Sequence, residues 1–383
     1  MHSLGLDGTV SRIACALPAS LASRVTLDDL QRVAAQLPAA IAGRMYFEAP
    51  LSSDAPRVDL IVAVERDRHE ELGPTAWSRR AHHAWSRVGA LANELVSPTT
   101  ALRDARDVVW LEFDIEPGAP RGADVPPGVF VDFAPSTSRS RAEELALAAV
   151  ALEPLLDRGA LHRSRDALAE CLERLPGGAT LASVGVLVPR DGAAIRLCLD
   201  GLTTATLADY LRLVRWPGSL ERLARLTHSL APASDAGASA THPLPSLVHL
   251  DISAGVLPRV GIEYRFRRAT QLRKGVAESE FLQRLVHDGL CTAAKRDALL
   301  GWPGCAASAM PHELWGSVVL RRLNHVKVTY VEGRPAEAKG YLCATHVPRV
   351  GHAARVAVAA SDAAPTPSTS ETRPLAQMQP STQ

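Results

Sequence analysis

The sequence predicts an α/β protein: a closed, ten-stranded antiparallel barrel built from five helix–strand–strand–helix repeats, with the helices outside. Three observations predict it. Short alternating strands arrive as five pairs, helix-like segments separate the pairs, and nearly every strand is apolar on one side and charged on the other.

The pairs are Arg44–Ala49 with Val58–Glu65, Val108–Ile115 with Val129–Ala134, and Ser183–Val188 with Ile195–Asp200, followed by Leu247–Ser253 with Arg259–Phe266 and His325–Tyr330 with Lys339–Thr345. Residues 1–17 show no periodicity and read as an N-terminal arm. Thr26 caps the first predicted helix, with Asp29 three residues on, and the helix runs through Leu30, Val33 and Leu37. The first strand pair turns through Leu51–Pro56. Residues 69–97 then carry Trp85, Val88, Leu91, Ala92 and Leu95 at helical spacing, preceded by a solvated His82-His83. The second pair turns through a Pro- and Gly-rich stretch from Pro117 to Gly128. Residues 139–173 read as two helices broken near Asp157, and Asp191-Gly192 marks the third hairpin.

The repeat also shows in the letters. Trp216-Pro-Gly218 and Trp302-Pro-Gly304 both follow a helix and read as helix stops carrying a buried Trp. Leu111–Ile115 resembles Leu247–Ile252. Self-similarity at about 65–80 residues means one supersecondary unit used repeatedly. Residues 18–350 therefore read as a single barrel domain, and the Pro-, Ser-, Thr- and Ala-rich residues 351–383 as a disordered tail.

Side chains alternate across a strand, so each strand sorts into two faces. Val109, Leu111, Phe113 and Ile115 share one face, and Trp110, Glu112 and Asp114 the other. Later strands divide the same way, with Tyr264 and Tyr330 on the apolar side. The apolar face must meet the amphipathic helices. In a closed barrel the polar face lines a lumen, and ten strands leave more room than eight. Arg196, Arg259, Arg265, Lys327, Lys339 and Tyr341 converge there with Glu48, Asp59, Glu112, Asp114, Asp132, Asp200, Asp251 and Glu263.

Composition narrows the function. Of the chain's 383 residues, Lys plus Arg number 42 and Asp plus Glu 41, a balance that argues against a nucleic-acid or anionic-membrane binder. No stretch reaches the ~20 apolar residues of a membrane span. The N-terminus lacks the pattern of a signal peptide, so the expected location is cytoplasmic. None of the six cysteines is paired at CxxC spacing, no zinc site is expected, and they read as free thiols. Gly-x-Ser-x-Gly, P-loop and dinucleotide fingerprints are absent, and neither Cys198 nor Cys343 has a base partner identifiable in the sequence.

Five such repeats around a polar lumen resemble the ABBA-type prenyltransferases over roughly residues 20–346, and Lys339-Gly-Tyr341 fits their Lys-x-Tyr pattern on the last strand. The resemblance implies a bacterial enzyme of secondary metabolism that moves a prenyl group from an allylic diphosphate to an aromatic or peptide acceptor. It implies that Arg196, Arg259, Arg265, Lys327 and Lys339 bind the diphosphate, that Tyr341 shields the allylic cation and that Glu112 is the base. No resident cofactor is expected, and the resemblance leaves open whether a Mg²⁺ ion accompanies the diphosphate.

The same residues admit another reading. Lys339 and Tyr341 also fit cross-strand pairing in the barrel wall, and Arg259 and Arg265 fit salt bridges to Glu263 or Asp251. His249 and His325 fit as wall histidines, or with Asp251 and Glu263 as metal ligands. On that reading the protein is a non-catalytic binder of a peptide or small polar metabolite.

Overall fold

The computed structural model describes residues 6–38, 41, 44–72, 83–116, 118, 125–136, 138–187, 194–231, 244–266, 276–308 and 317–348. His82, the Pro189–Gly192 turn, most of the Pro117–Gly128 turn and the 351–383 tail lie outside the described residues.

The strands are β1 (Arg44–Pro50), β2 (Asp59–Glu65), β3 (Arg106–Phe113), β4 (Gly128–Phe133), β5 (Thr180–Val186), β6 (Ile195–Asp200), β7 (Leu244–Ile252), β8 (Val256–Arg265), β9 (Gly304–Ser308), β10 (Ser317–Val331) and β11 (Glu337–Pro348). Ten of them, β1–β8, β10 and β11, form a closed antiparallel ring. The ring closes where β11 pairs with β1, setting Glu48 opposite Tyr341 and Tyr46 opposite Cys343. Five hairpins and a closed barrel are what the alternating pattern predicts.

The structure adds an eleventh strand. β10 is far longer than the predicted His325–Tyr330. Its later half pairs with β8, and its earlier half, Ser317–Arg321, pairs with β9. A bulge between Leu323 and His325 joins the halves. One extra residue there sends Leu323 to the core and His325 to the lumen.

The N-terminal expectation is corrected. Leu6–Ala14 is a helix, not an irregular arm, and Leu6, Val10, Ile13 and Ala14 are buried. Its Ser11 Oγ accepts from Gln31 Nε2 at 3.1 Å, tying it to the next helix, Arg24–Ala34. That helix is capped by Ser23, whose Oγ accepts from the Thr26 N–H, so Thr26 sits inside the first turn. Later helices start as the sequence suggests. Ser140 forms a capping box with Glu143 at the head of Arg141–Leu152, and Asp157 caps Arg158–Glu173.

The main core lies between barrel and helices. Val109, Leu111, Phe113, Ile115, Tyr264 and Tyr330 all join it from the strands. Trp216 and Trp302 of the two Trp-Pro-Gly elements are buried in it, and Arg321 lies over the Trp302 ring at 5.2 Å. Among the described residues, no helix is long and apolar enough to cross a membrane.

Candidate active site

The lumen face carries a second, small apolar cluster of Tyr46, Ile61, Tyr341 and Cys343, with Trp110 packed against it. Trp110 meets Tyr46 edge-on at 5.3 Å and donates its Nε1–H to Asp132 at 2.6 Å. Small residues make the space. Gly185 faces Phe130 across the β4–β5 ladder, and a Cβ there would lie 2.3 Å from both Phe130 Cδ1 and the Val129 carbonyl.

Beside this aromatic wall a narrow cleft of about 10 Å³, room for about one water, is lined by Glu48, Asp59, Glu112, Asp114, Arg196, Arg259, Lys327 and Lys339. The strand register brings seven of these, all but Asp114, from seven strands to one end of the lumen. Glu48 is the hub. It accepts short hydrogen bonds from Lys339 Nζ and Tyr341 OH, and Lys327 Nζ lies 3.9 Å away. Burial alone would raise the Glu48 pKa, but Lys339 and Lys327 outweigh it and hold the carboxylate well below the usual range. Burial also lowers the Lys327 pKa, with Arg196 and Lys339 adding repulsion and Glu48 opposing.

On the opposite wall, Asp251 takes Arg196 in a forked pair at 2.7 and 3.0 Å, with Arg259 Nη1 at 3.6 Å. Burial works against the Asp251 charge, and Arg196 with Arg259 overcomes it, so its pKa is lowered. Asp59 is pushed up to about 6 by burial and by Glu48, against hydrogen bonding from the Ile115 N–H and attraction to Arg57. Glu112 differs from the other carboxylates. Among the described residues it makes no hydrogen bond or ion pair, and burial and Glu48 raise its pKa while Lys327 and Arg196 pull the other way.

The structure thus brings together Glu112, Tyr341, Arg196, Arg259, Lys327 and Lys339. Arg265 it does not: the side chain is exposed, in register with His325, and does not line the cleft. Tyr341 is more confined than the sequence suggests. His325 stacks on its ring at 4.0 Å, and Lys327 Nζ lies 4.9 Å from the ring centre.

Deeper along the strands is another polar group. Glu263 Oε1 accepts from His249 Nε2 at 2.8 Å, and His325 Nε2 lies 3.4 Å away. His249 Nδ1 is 3.4 Å from Cys198 Sγ, so Cys198 does have an imidazole partner, on the neighbouring strand. Burial would raise the Glu263 pKa, but the two histidines hold it low. Burial in turn drives His325 down to about 4. Among the described residues, no three metal-ligating side chains are arranged to hold an ion. Sequence reasoning placed Glu48, Asp251, His249 and Glu263 on the lumen face and allowed the Arg259–Asp251 pair, but not the Glu48–Lys339, Arg196–Asp251 or Cys198–His249 pairs.

The barrel and its polar lumen define the class: the chain has the fold of the ABBA-type prenyltransferases, the PT barrel. It is similar to the prenyltransferase PriB in its ternary complex with L-tryptophan and dimethylallyl thiolodiphosphate, at 14% identity over 88% of this chain and 94% of that one, with a TM-score of 0.51. It is also similar to a 6-dimethylallyltryptophan synthase from Micromonospora olivasterospora in complex with DMASPP and Trp, at 16% identity over 88% and 95%, with a TM-score of 0.50. No family model and no curated protein sequence matches the chain.

Proposed function

We propose that this protein transfers a prenyl group from an allylic diphosphate to an aromatic acceptor, with an indole such as tryptophan the first to test. The observation that carries the reading is the meeting of Arg196, Arg259, Lys327 and Lys339 around Glu112 at one end of the lumen. The same fold in tryptophan prenyltransferases supports it as an analogy.

The four cations would hold the diphosphate and take up the negative charge that develops as the C–O bond to the prenyl carbon breaks. The new bond forms between that carbon and a ring carbon of the acceptor. Glu112 would take the proton the ring releases. Among the described residues it forms no ion pair, and its raised pKa makes it a stronger base than Glu48. Tyr341 and the Tyr46–Trp110 edge would wall the allylic cation.

One observation favours the alternative of a non-catalytic binder. Glu48 and Asp251 already pair with Lys339, Arg196 and Arg259 and offset most of their charge, which suits a zwitterionic metabolite better than a diphosphate. Incubation with dimethylallyl diphosphate and tryptophan, with and without Mg²⁺, followed by mass spectrometry separates the two. Prenylated product that disappears in Glu112→Gln supports transfer. Absence of product with a panel of aromatic acceptors, from protein that dimethylallyl diphosphate does not stabilise, would favour the binder.

A further inference from the structure

Cys198, His249 and Glu263 stand on three consecutive strands, β6, β7 and β8, and form a relay. Glu263, its pKa held low, is an acceptor only, so the His249 Nε2 that meets it at 2.8 Å carries the proton. In the neutral ring Nδ1 then has a free lone pair, directed at Cys198 Sγ 3.4 Å away. Burial lowers the His249 pKa, and burial with Glu263 raises the Cys198 thiol well above its ordinary value, so both are neutral and the nucleophile arises only as the thiol proton passes to Nδ1. The order thiol, imidazole, carboxylate is that of a nucleophile, its base and the group that orients the base.

The fold builds this unit deliberately. The register sets Cys198 against His249 and His249 against Gly261. A Cβ at Gly261 would come within 3.2 Å of His249 Cβ and 3.6 Å of Lys327 Cδ, so the glycine gives the imidazole room beside Glu263. A second observation points to an occupant. His325 is buried at 8% exposure, and among the described residues its Nε2 makes no hydrogen bond, although it lies 3.4 Å from Glu263 Oε1. A buried donor without an acceptor costs about 1–3 kcal/mol, a cost that a polar atom of a bound molecule removes.

We propose that Cys198 is a primed nucleophile for alkylation by a small neutral electrophile, an sp³ carbon bearing an anionic leaving group. The S–C bond forms as the carbon–leaving-group bond breaks, and the leaving group departs with the electron pair. The thiol proton passes to His249 Nδ1, and Glu263 holds the imidazolium until the proton reaches solvent. Alkylation fits better than acylation. The N–H groups of β6–β8 lie in ladders within the sheet rather than facing the lumen, so they form no oxyanion hole for a tetrahedral intermediate. This inference does not depend on a diphosphate binding.

The protein carries its own controls. Cys343 is also a buried lumen thiol, but its partner is Thr345 at 3.8 Å rather than an imidazole, and Cys171 and Cys291 are buried without one. Full-length protein is treated with chloroacetamide, and alkylation at each cysteine is followed in time by peptide mass spectrometry. Cys198 should react about 10-fold or more faster than Cys343, Cys171 and Cys291, general-base assistance being worth at least that much. In His249→Gln and Glu263→Gln the Cys198 rate should fall about 10-fold or more while the Cys343 rate holds. A wild-type Cys198 no faster than Cys343 overturns the proposal without recourse to any variant. So does a loss in folded variants that affects all buried thiols alike.

Discussion

Lys339 on the last strand donates to Glu48 on the first, across the seam where the barrel closes. The pair is therefore both a closure contact and the centre of the cleft's charge. Tyr341, two residues along β11, donates to the other oxygen of the same carboxylate. Any anion entering the cleft must compete with Glu48 for Lys339 and Lys327.

Glu48→Gln tests that competition. Removing one partner of a buried ion pair costs about 3–5 kcal/mol, because the lysines keep their charge without an acid to meet it. The Tm should fall, and inorganic diphosphate should raise the variant's Tm more than that of the wild type. Equal diphosphate responses would separate the lysines from anion binding.

Lys327→Met should behave in the opposite way. Lys327 makes no hydrogen bond among the described residues, and burial disfavours its charge. Glu48 keeps Lys339 as its closer cation, so the substitution removes a buried charge without stranding the carboxylate. The Tm should hold or rise, while stabilisation by dimethylallyl diphosphate disappears. A retained response would remove Lys327 from the binding set.

Asp251→Asn should cost about as much as Glu48→Gln. It leaves Arg196 buried without its forked partner and Arg259 without its 3.6 Å contact. A loss of about 3–5 kcal/mol is expected from urea denaturation. A loss under about 1 kcal/mol would mean that solvent replaces Asp251 at the arginines.

Asp132 gives a pH prediction. Burial raises its pKa from 3.8 to about 6, against the hydrogen bond from Trp110. The folded state thus binds this proton more tightly than the unfolded state. Its stabilising effect is complete below pH 3.8 and is lost as pH rises through about 6. Asp132→Asn, which never ionises, should therefore gain about 2 kcal/mol over wild type at pH 7.5 relative to pH 4. Denaturation at the two pH values checks it, and a constant difference between variant and wild type would place the Asp132 pKa near its ordinary value.

Gly185→Ala probes the lumen's shape. Its new Cβ would fall 2.3 Å from Phe130 and from the Val129 carbonyl, and the carbonyl belongs to a ladder that cannot move aside cheaply. A loss of about 1–3 kcal/mol or more is expected. An unchanged Tm would show that Phe130 has another rotamer open to it.

Much of the barrel was legible because strand parity is a local property. Val109, Leu111 and Phe113 alternate with Trp110 and Glu112 in the sequence, and a closed sheet can only turn those sets outward and inward. The same parity put Arg196, Arg259, Lys327 and Lys339 on the lumen side. It also put Arg265 there, because parity does not report height along the barrel axis. Arg265 lies at the exposed end of β8, away from the cleft. The helix Leu6–Ala14 was missed because its apolar residues are few and become a face only against Arg24–Ala34.

The sequence by itself determined the hairpins, the sidedness of the strands and the chemical types that face the lumen, since these depend on neighbours one or two residues apart. Only the tertiary structure decided the pairings. Glu48 meets Lys339 across 291 positions, and Cys198 meets His249 across 51. Register, shear and the bulge before His325 set which charges touch, and with them which pKa values move. The reason is physical: an ion pair or a relay depends on separations of a few ångströms, and chain distance does not encode those until the sheet has closed.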